Sequence, residues 1–468
     1  MTLFRFLRVG NNGSRTLSNC LHTTSRSSMH PFLGRLSRPT TTPLTQNLVW
    51  SIGTNKSVSL SYLSKRLMSS ATVTATTATT TTTAAAARAT TATKAAGIQV
   101  TKPIVAHWLY FNAGLVFAIV VVGGLTRLTE SGLSITEWNV ISGMKPPRSQ
   151  QEWTEEFEKY KQFPEYKLLN RHMTLEEFKN IFYWEWSHRM IGRFIGATFI
   201  IPGLYFASRG YMTRRVAKQV FGITCVLGFQ GFMGWYMVKS GLSEALMKEP
   251  GAVPRVSQYR LTAHFATALM IYGSTIFVAA DILRQNKLAN GTYPKEIANM
   301  INHPALKRFR ILTHSLGALL ILTALSGGLV AGLDAGLIYN EWPMMGEGLI
   351  PPKDELWSDH YVKPHDKGKW RNFLENPTTV QFDHRTLAET SAVAATALWF
   401  YARRLPLPKN VRLAVNTMMG VVVVQVSLGI STLIYMVPIQ LAAAHQAGAL
   451  TLLTSNFWLI HALRKVPL

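Results

Sequence analysis

Four histidines are the residues of this chain whose type and spacing could do chemistry. His188 and His264 lie in the first half of the hydrophobic region, and His384 and His445 lie in the second. Each is at or near the same end of a separate hydrophobic stretch, so the four form two matching pairs. Because a bis-histidine haem iron takes one imidazole on each axial face, the two pairs predict two haem sites.

The histidines could also serve roles other than haem ligation. A single histidine inside a membrane helix more often packs or hydrogen-bonds than binds a metal. Four at one depth, in repeat-related pairs, favour ligation. A zinc site is the next alternative, but its ligands would converge on one point. The two pairs belong to separate groups of helices, which favours two porphyrins.

The two pairs differ in one neighbouring residue. Glu185 lies three residues before His188, on the same helix face if that turn is helical. The related position before His384 is Gln381. An acid in one half and an amide in the other suggest a carboxylate used chemically in the first half only. The alternative is that Glu185 merely hydrogen-bonds an imidazole or caps its helix.

An arginine directly follows one histidine of each pair. Arg189 follows His188 and Arg385 follows His384. A guanidinium fork suits a carboxylate, so either arginine could bind a haem propionate. Long cationic side chains that reach from a helix end to the membrane surface would account for both residues equally well.

Eight apolar stretches are long enough to cross a bilayer, which needs about 20 residues. A chain of this kind satisfies its backbone hydrogen bonds within helices, so the sequence predicts an all-α polytopic membrane protein. The predicted spans are 104–125, 191–208, 216–238, 260–283, 308–333, 385–402, 411–436 and 440–461.

The two halves of the hydrophobic region repeat each other. Gly123-Gly124-Leu125 recurs as Gly327-Gly328-Leu329 at an offset of 204, and Gln230 recurs as Gln425 at an offset of 195. The repeat predicts two related four-helix bundles, with a pseudo-twofold axis along the membrane normal. The expected domains are 103–283 and 308–463, joined by a loop at 284–307.

The net charge of +24 is concentrated in part at the amino terminus, where no Asp or Glu occurs before Glu130. Residues 1–70 are typical of a mitochondrial presequence, and the Ala- and Thr-rich residues 71–102 of a linker. No module that combines basic and aromatic residues supports nucleic-acid binding. The positive charge is therefore assigned to targeting and to membrane topology.

Lys and Arg in the loops predict the orientation of the chain. They are frequent after the second, fourth, sixth and eighth spans, whereas the loop after the first span is rich in glutamate. Both termini should therefore face the positive side, which is the matrix in mitochondria. The four histidines would then lie near the intermembrane-space surface.

The residues that carry these patterns resemble the haem A synthase family of the mitochondrial inner membrane. The matching segments are GGLTRLTESGLSITEW (123–138), EWSHRMIGR (185–193), LTAHFATAL (261–269), FDHRTLAE (382–389) and LAAAHQAGAL (441–450). The resemblance covers residues 103–463. One departure is the loop 126–187, which lacks the cysteine pair that many bacterial members carry.

The resemblance implies an activity and a role for each site residue. The family oxidises the C8 methyl group of haem O to the formyl group of haem A. His384, His445 and Arg385 would then hold a haem b, and His188, His264 and Arg189 the substrate haem O. Glu185 matches the family's essential glutamate, so it is the predicted catalytic residue.

The implied partners are haem O synthase, cytochrome c oxidase assembly factors, the lipid bilayer and a mitochondrial electron-transfer protein such as a ferredoxin. The sequence leaves open whether the chain forms a homo-oligomer. The alternative function is a two-haem b-type membrane electron carrier that turns over no substrate. Glu185 opposite Gln381 favours the enzyme, because a carrier needs no acid in one half only.

Overall fold

The computed structural model describes residues 99–139, 142–242, 255–362 and 368–466, all within one compact unit. The predicted presequence (1–70) and most of the predicted linker (71–102) lie outside these residues. The described residues form α-helices, short 3₁₀ turns and loops, with no β-strand among them. The predicted all-α class is confirmed for this part of the chain.

Eight long helices dominate the fold. They are α1 (Pro103–Leu128), α2 (Leu175–Ser208), α3 (Arg214–Gly241), α4 (Gln258–Ala289), α5 (Leu306–Leu333), α6 (Pro377–Arg403), α7 (Lys409–Ile434) and α8 (Ile439–Ala462). Three shorter helices lie in the connections between them. Gln150–Lys161 and Pro164–Leu168 are between α1 and α2, and Lys295–Asn302 is between α4 and α5.

Six of the eight long helices are long and apolar enough to cross a membrane, namely α1 to α5 and α7. The chain is therefore a multi-pass membrane protein. Helices α6 and α8 do not reach the same hydropathy, because polar side chains interrupt both, among them Asp383 and His384 in α6 and Gln446 and Asn456 in α8.

Two predicted spans start later than the helices that contain them. Helix α2 begins at Leu175 rather than 191, because Thr174 and Glu177 form a capping box there. Its 34 residues reach about 50 Å at 1.5 Å per residue, well beyond a bilayer core of about 30 Å. Helix α6 begins at Pro377, where the Asn376 side chain accepts a hydrogen bond from Thr378 N. His188 and His384 thus lie inside continuous helices.

The predicted loop 284–307 is also more helical than expected. Helix α4 continues to Ala289, and Lys295–Asn302 forms a helix of its own before α5 begins at Leu306. Basic residues lower the hydropathy of this stretch without preventing helix formation.

Helix packing follows the same pattern in both halves. In the first half, α1 and α3 each pack against α2 and α4. In the second half, α5 and α7 each pack against α6 and α8. Between the halves, α4 packs against α5, α8 against α1, and α4 against α8.

An ion-pair cluster joins the halves at the histidine end. Asp334 ends α5 in the left-handed conformation (φ 56°), and its carboxylate lies 2.7 Å from Arg127 Nη2 and 3.2 Å from Arg255 Nη1. Arg127 belongs to the last turn of α1. On the same interface, Gln446 Nε2 of α8 donates a hydrogen bond to the carbonyl oxygen of Val120 (3.1 Å).

Candidate haem-binding and catalytic site

The four predicted histidines lie on four different helices. His188 is in α2, His264 in α4, His384 in α6 and His445 in α8, and all four are partly buried. Within each predicted pair the two imidazoles interact electrostatically, His188 with His264 and His384 with His445. The structure therefore brings together the residues that the sequence pairs.

A glycine on a neighbouring helix lies against each imidazole. A methyl group placed on that glycine would lie closer to the ring than an ordinary van der Waals contact, so the ring would have to shift if the glycine were replaced. The contacts, given from the position of such a Cβ, are Gly123 to His188 Nε2 (3.0 Å), Gly234 to His264 Cε1 (3.1 Å), Gly327 to His384 Cε1 (3.0 Å) and Gly429 to His445 Cε1 (2.9 Å).

Gly123 and Gly327 were recognised in the sequence as part of the internal repeat and not as contacts of the histidines. Gly234 and Gly429 were not predicted at all. The missed pair is separated by 195 residues, the offset that also relates Gln230 to Gln425. This shared offset of 195 residues could have predicted that the two glycines occupy equivalent positions in the two halves.

In the second half, hydrogen bonds orient both imidazoles. Ser326 Oγ donates to the carbonyl oxygen of Thr323 (2.8 Å) and lies 2.8 Å from His384 Nδ1, so the hydroxyl accepts from Nδ1–H. The amide of Gln425 lies 3.1 Å from His445 Nδ1. Nε2 of each ring has no hydrogen-bond partner among the described residues. Histidines that bind a metal typically donate a hydrogen bond from the other ring nitrogen, as His384 does to Ser326.

The first half lacks this arrangement. His264 Nε2 lies 3.2 Å from the amide nitrogen of Gln230, and its buried Nδ1 has no partner in the described structure. The position equivalent to Ser326 is Val122, which cannot accept a hydrogen bond from His188. The two pairs therefore differ in how firmly their rings are oriented.

Glu185 is buried, with an exposed fraction of 2%. Its Oε2 accepts hydrogen bonds from Ser134 Oγ (2.8 Å) and Ile135 N (2.7 Å). Its Oε1 accepts from Arg189 Nη2 (2.7 Å) and Nε (3.1 Å). A carboxylate has about four acceptor positions, so all of them are used. Glu185 and His188 lie one turn apart in α2, which confirms that this turn is helical.

The two arginines hold the loop that follows the first helix of each half. Arg189 donates to the carbonyl oxygens of Ile135 and Glu137, both at 2.8 Å, besides pairing with Glu185. Arg385 donates to the carbonyl oxygens of Pro343 (3.0 Å) and Met344 (3.1 Å).

Apart from these loop contacts, the two arginines differ in whether they pair with a carboxylate. Arg385 has no carboxylate partner among the described residues, because Gln381 replaces the glutamate and donates instead to the carbonyl oxygen of Ile338. Its buried Nη1 also lacks a partner there. Arg385 therefore keeps a donor for an anionic group, whereas Arg189 is largely committed to the protein.

A multi-pass helical membrane protein with two pairs of inward-facing histidines is the class that this fold and site define. A profile of the cytochrome oxidase assembly protein family matches residues 106–457. The chain belongs to this family.

Relatives with similar sequences are named haem A synthases. "Heme A synthase COX15" of Saccharomyces cerevisiae is 49% identical over 370 residues, which cover 78% of this chain and 76% of that protein. The human protein of the same name is 46% identical over 369 residues, or 79% and 85% of the two chains. The resemblance seen in the sequence motifs is thus confirmed.

A third relative carries an additional domain. The "Heme A synthase-mitochondrial ferredoxin fusion protein" of Schizosaccharomyces pombe is 46% identical over 371 residues, which cover 76% of this chain and 60% of that protein.

Proposed function

We propose that this chain is a haem A synthase, an oxidoreductase that converts the C8 methyl group of haem O to the formyl group of haem A for cytochrome c oxidase. The observation that carries the proposal is the set of four histidines, each packed against a glycine, in a chain that shares up to 49% identity with named haem A synthases. The reaction places the chain among enzymes that oxidise a methyl group.

All eight long helices are proposed to cross the mitochondrial inner membrane as two repeat-related four-helix bundles, with both termini in the matrix. Helices α6 and α8 pack against their neighbours as α2 and α4 do, and each has at least 24 residues. About 20 residues suffice for a crossing. Their polar side chains, His384 and His445 included, would face the bundle interior rather than lipid.

His384 and His445 are proposed to hold a resident haem b. The residues fit this group, because Ser326 accepts from Nδ1 of His384, Gln425 contacts Nδ1 of His445, and neither Nε2 atom has a partner within the described part of the chain. Arg385 would bind a propionate through its unpartnered guanidinium nitrogen. When bound, haem b supplies a one-electron carrier.

His188 and His264 are proposed to bind the substrate haem O. A substrate has to leave after turnover, and His188 lacks the serine contact that orients His384, because Val122 stands at that position. Arg189 is proposed to contribute through the loop 135–137 that it fixes, and to reach a propionate only if it releases one of its present partners.

Glu185 is proposed to act on the methyl carbon of haem O. With imidazoles on both faces, the iron has no open position for oxygen, so we propose that oxidation proceeds at the carbon. Removal of two electrons and a proton from the methyl group leaves a cationic carbon, and addition of water then releases a second proton and gives the alcohol. A second oxidation of the same kind gives the hydrated aldehyde, which loses one water molecule to form the formyl group. A negative charge beside the carbon stabilises the cation.

The contacts of Glu185 favour this electrostatic role over that of a base. All four of its acceptor positions are occupied, so accepting a proton from water would require one hydrogen bond to break.

The electrons are proposed to leave through a mitochondrial one-electron carrier such as a ferredoxin. A relative in which the two proteins are fused supports this partner class. Haem O synthase and other assembly factors are proposed as partners because the family serves oxidase assembly.

Haem extraction from the purified protein tests the proposed function. After production in cells that make haem O, chromatography should show haem A or its alcohol precursor together with haem b. A protein that contains haem b alone under these conditions would instead support the two-haem electron carrier.

A further inference from the structure

The segment between α1 and α2 covers the first turns of α2 on the side of Glu185. Its helices Gln150–Lys161 and Pro164–Leu168 pack on α2 through an aromatic cluster, in which the rings of Tyr160 and Phe178 stack with centroids 5.3 Å apart. The buried members of this cluster are Trp153, Phe157, Tyr160, Phe178 and Phe182. The cluster excludes water from the surroundings of any polar group beneath it.

One such group is the carboxyl of Glu165, which is 6% exposed. Its Oε2 has no hydrogen-bond partner in the described part of the chain. Burial raises the pKa of Glu165 to about 8, the charges of Glu185 and Glu130 add to that rise, and Tyr160 and Arg127 oppose it. Glu165 therefore carries a proton at neutral pH.

Tyr160 connects Glu165 to the surface. Its hydroxyl, on a fully buried ring, accepts a hydrogen bond from Asn170 Nδ2 (2.8 Å) and lies close enough to the Glu165 carboxyl to influence its pKa. Asn170 is partly exposed. Both Tyr160 and Glu165 also interact electrostatically with Glu185. Buried Glu165 and Tyr160, together with partly exposed Asn170, thus supply polar groups between the neighbourhood of Glu185 and the aqueous face.

We propose that Glu165 and Tyr160 form the proton exit of the substrate site. This inference rests on the proposed function. Each oxidation of the substrate carbon releases two protons and two electrons: the electrons pass to the one-electron carrier, and the protons must reach water. Glu165 gives its proton to the aqueous side through Tyr160 and is reprotonated from the Glu185 side. It is a positioning and relay residue, because it does not touch the substrate.

The second half offers a comparison. Among the described residues of its corresponding loop, 335–376, the buried polar side chains are the amides Asn372 and Asn376, with no buried acid. A half that only holds a haem releases no protons, so it needs no such group.

The test compares Glu165→Gln with the control Glu158→Gln, an exposed acid of the same segment. In the wild type, conversion of haem O should rise with pH through about 8, as the ionised acceptor becomes more abundant. Glu165→Gln should lose this inflection and slow conversion by about tenfold to a hundredfold. The control should retain both. A wild-type rate and pH profile in Glu165→Gln would overturn the proposal.

Infrared spectroscopy of the substrate-free protein provides a readout that does not depend on turnover. At neutral pH the wild type should show the carbonyl band of a protonated, buried carboxyl group, and Glu165→Gln should lack it. If the wild type shows no such band, Glu165 is ionised and the proposal is wrong. Haem b content should be unchanged in the variant.

Tyr160→Phe keeps the ring and removes only the hydroxyl, so it tests the route if Glu165→Gln fails to fold. It should slow conversion while leaving the carboxyl band in place, and an unchanged rate would contradict the route. If the wild type itself makes no haem A, the proposed function fails, and the infrared result still reports the state of Glu165.

Discussion

At the scale of single residues, the glycines beside the histidines are as informative as the histidines. A Cβ at any of these glycines would lie 2.9 to 3.1 Å from an imidazole atom, so the ring could keep its position only if the glycine is retained or its neighbours shift. The same contact occurs four times, in two repeat-related pairs. Because the contact recurs in this way, the position of the imidazole ring explains why glycine occurs at these four positions better than helix packing in general does.

Gly429→Ala should displace His445, because the added methyl would lie 2.9 Å from Cε1 of the ring. We expect most of the low-spin haem b absorbance to be lost, as measured by optical spectra of the purified protein. Gly420→Ala is the matched control in α7, since nothing lies within 4 Å of its added methyl. Equal spectra for the two variants would show that Gly429 does not position the ring.

Glu185→Gln should retain haem b and stall the reaction before the formyl group, so that haem O or the alcohol accumulates. Loss of one charge-stabilising group typically slows a reaction by about a hundredfold to a thousandfold. Chromatography of extracted haems measures the effect. Glu176→Gln, an exposed acid in the same helix, should behave like the wild type.

Isotope labelling tests the water attack separately. In the wild type the formyl oxygen should come from labelled water. Label from molecular oxygen in a freshly formed formyl group, with exchange controlled, would contradict this mechanism.

Glu165 should make the stability of the protein depend on pH. Its pKa is 4.5 in the unfolded reference and about 8 in the folded state, so between these values the folded state holds a proton that the unfolded state has lost. The contribution of Glu165 to the free energy of unfolding should be greatest below about pH 4.5 and should be lost as the pH rises to about 8. Thermal unfolding in detergent measures this, and Glu165→Gln should flatten the decline. An identical decline in both proteins would assign it to other groups.

At the scale of elements, the apolar stretches predicted the existence of all eight long helices but not their starts. Hydropathy detects the part of a helix that lies in lipid, whereas Thr174 and Asn376 start α2 and α6 through caps that carry no apolar signal. The sequence also predicted which histidines pair, because the repeat offsets survive loop changes. It could not show the partners of Glu185, since Ser134 and Ile135 lie about fifty residues away along the chain.

The ion pairs of Asp334 at the end of α5 are predicted to stabilise the contact between the two halves. Asp334→Asn should weaken the cluster with Arg127 and Arg255 and lower the free energy of unfolding by about 1 kcal/mol, a modest loss because the Asp334 side chain is 42% exposed. Denaturation in detergent measures it. Asp354→Asn, an exposed acid in the following loop, is the control. No difference between the two variants would mean that the cluster adds nothing to stability.

At the scale of the whole molecule, two halves with the same helix packing differ in how their histidines are held. A glutamine lies beside one ring in each half, Gln230 at His264 and Gln425 at His445. Only the second half has a serine at the other ring, because Val122 replaces Ser326 in the first half, where Glu185 instead forms an ion pair with Arg189. This difference supports the proposal that the second pair holds a resident cofactor and the first pair a substrate that enters and leaves.

Haem composition of His188→Ala and His384→Ala, each extracted from purified protein and compared with the wild type, tests this division of roles most directly. His188→Ala should keep haem b and yield no haem A or alcohol. His384→Ala should lose most of its haem b. If haem b is lost equally in both variants, or retained in both, the assignment of one half to the substrate and the other to the cofactor is wrong.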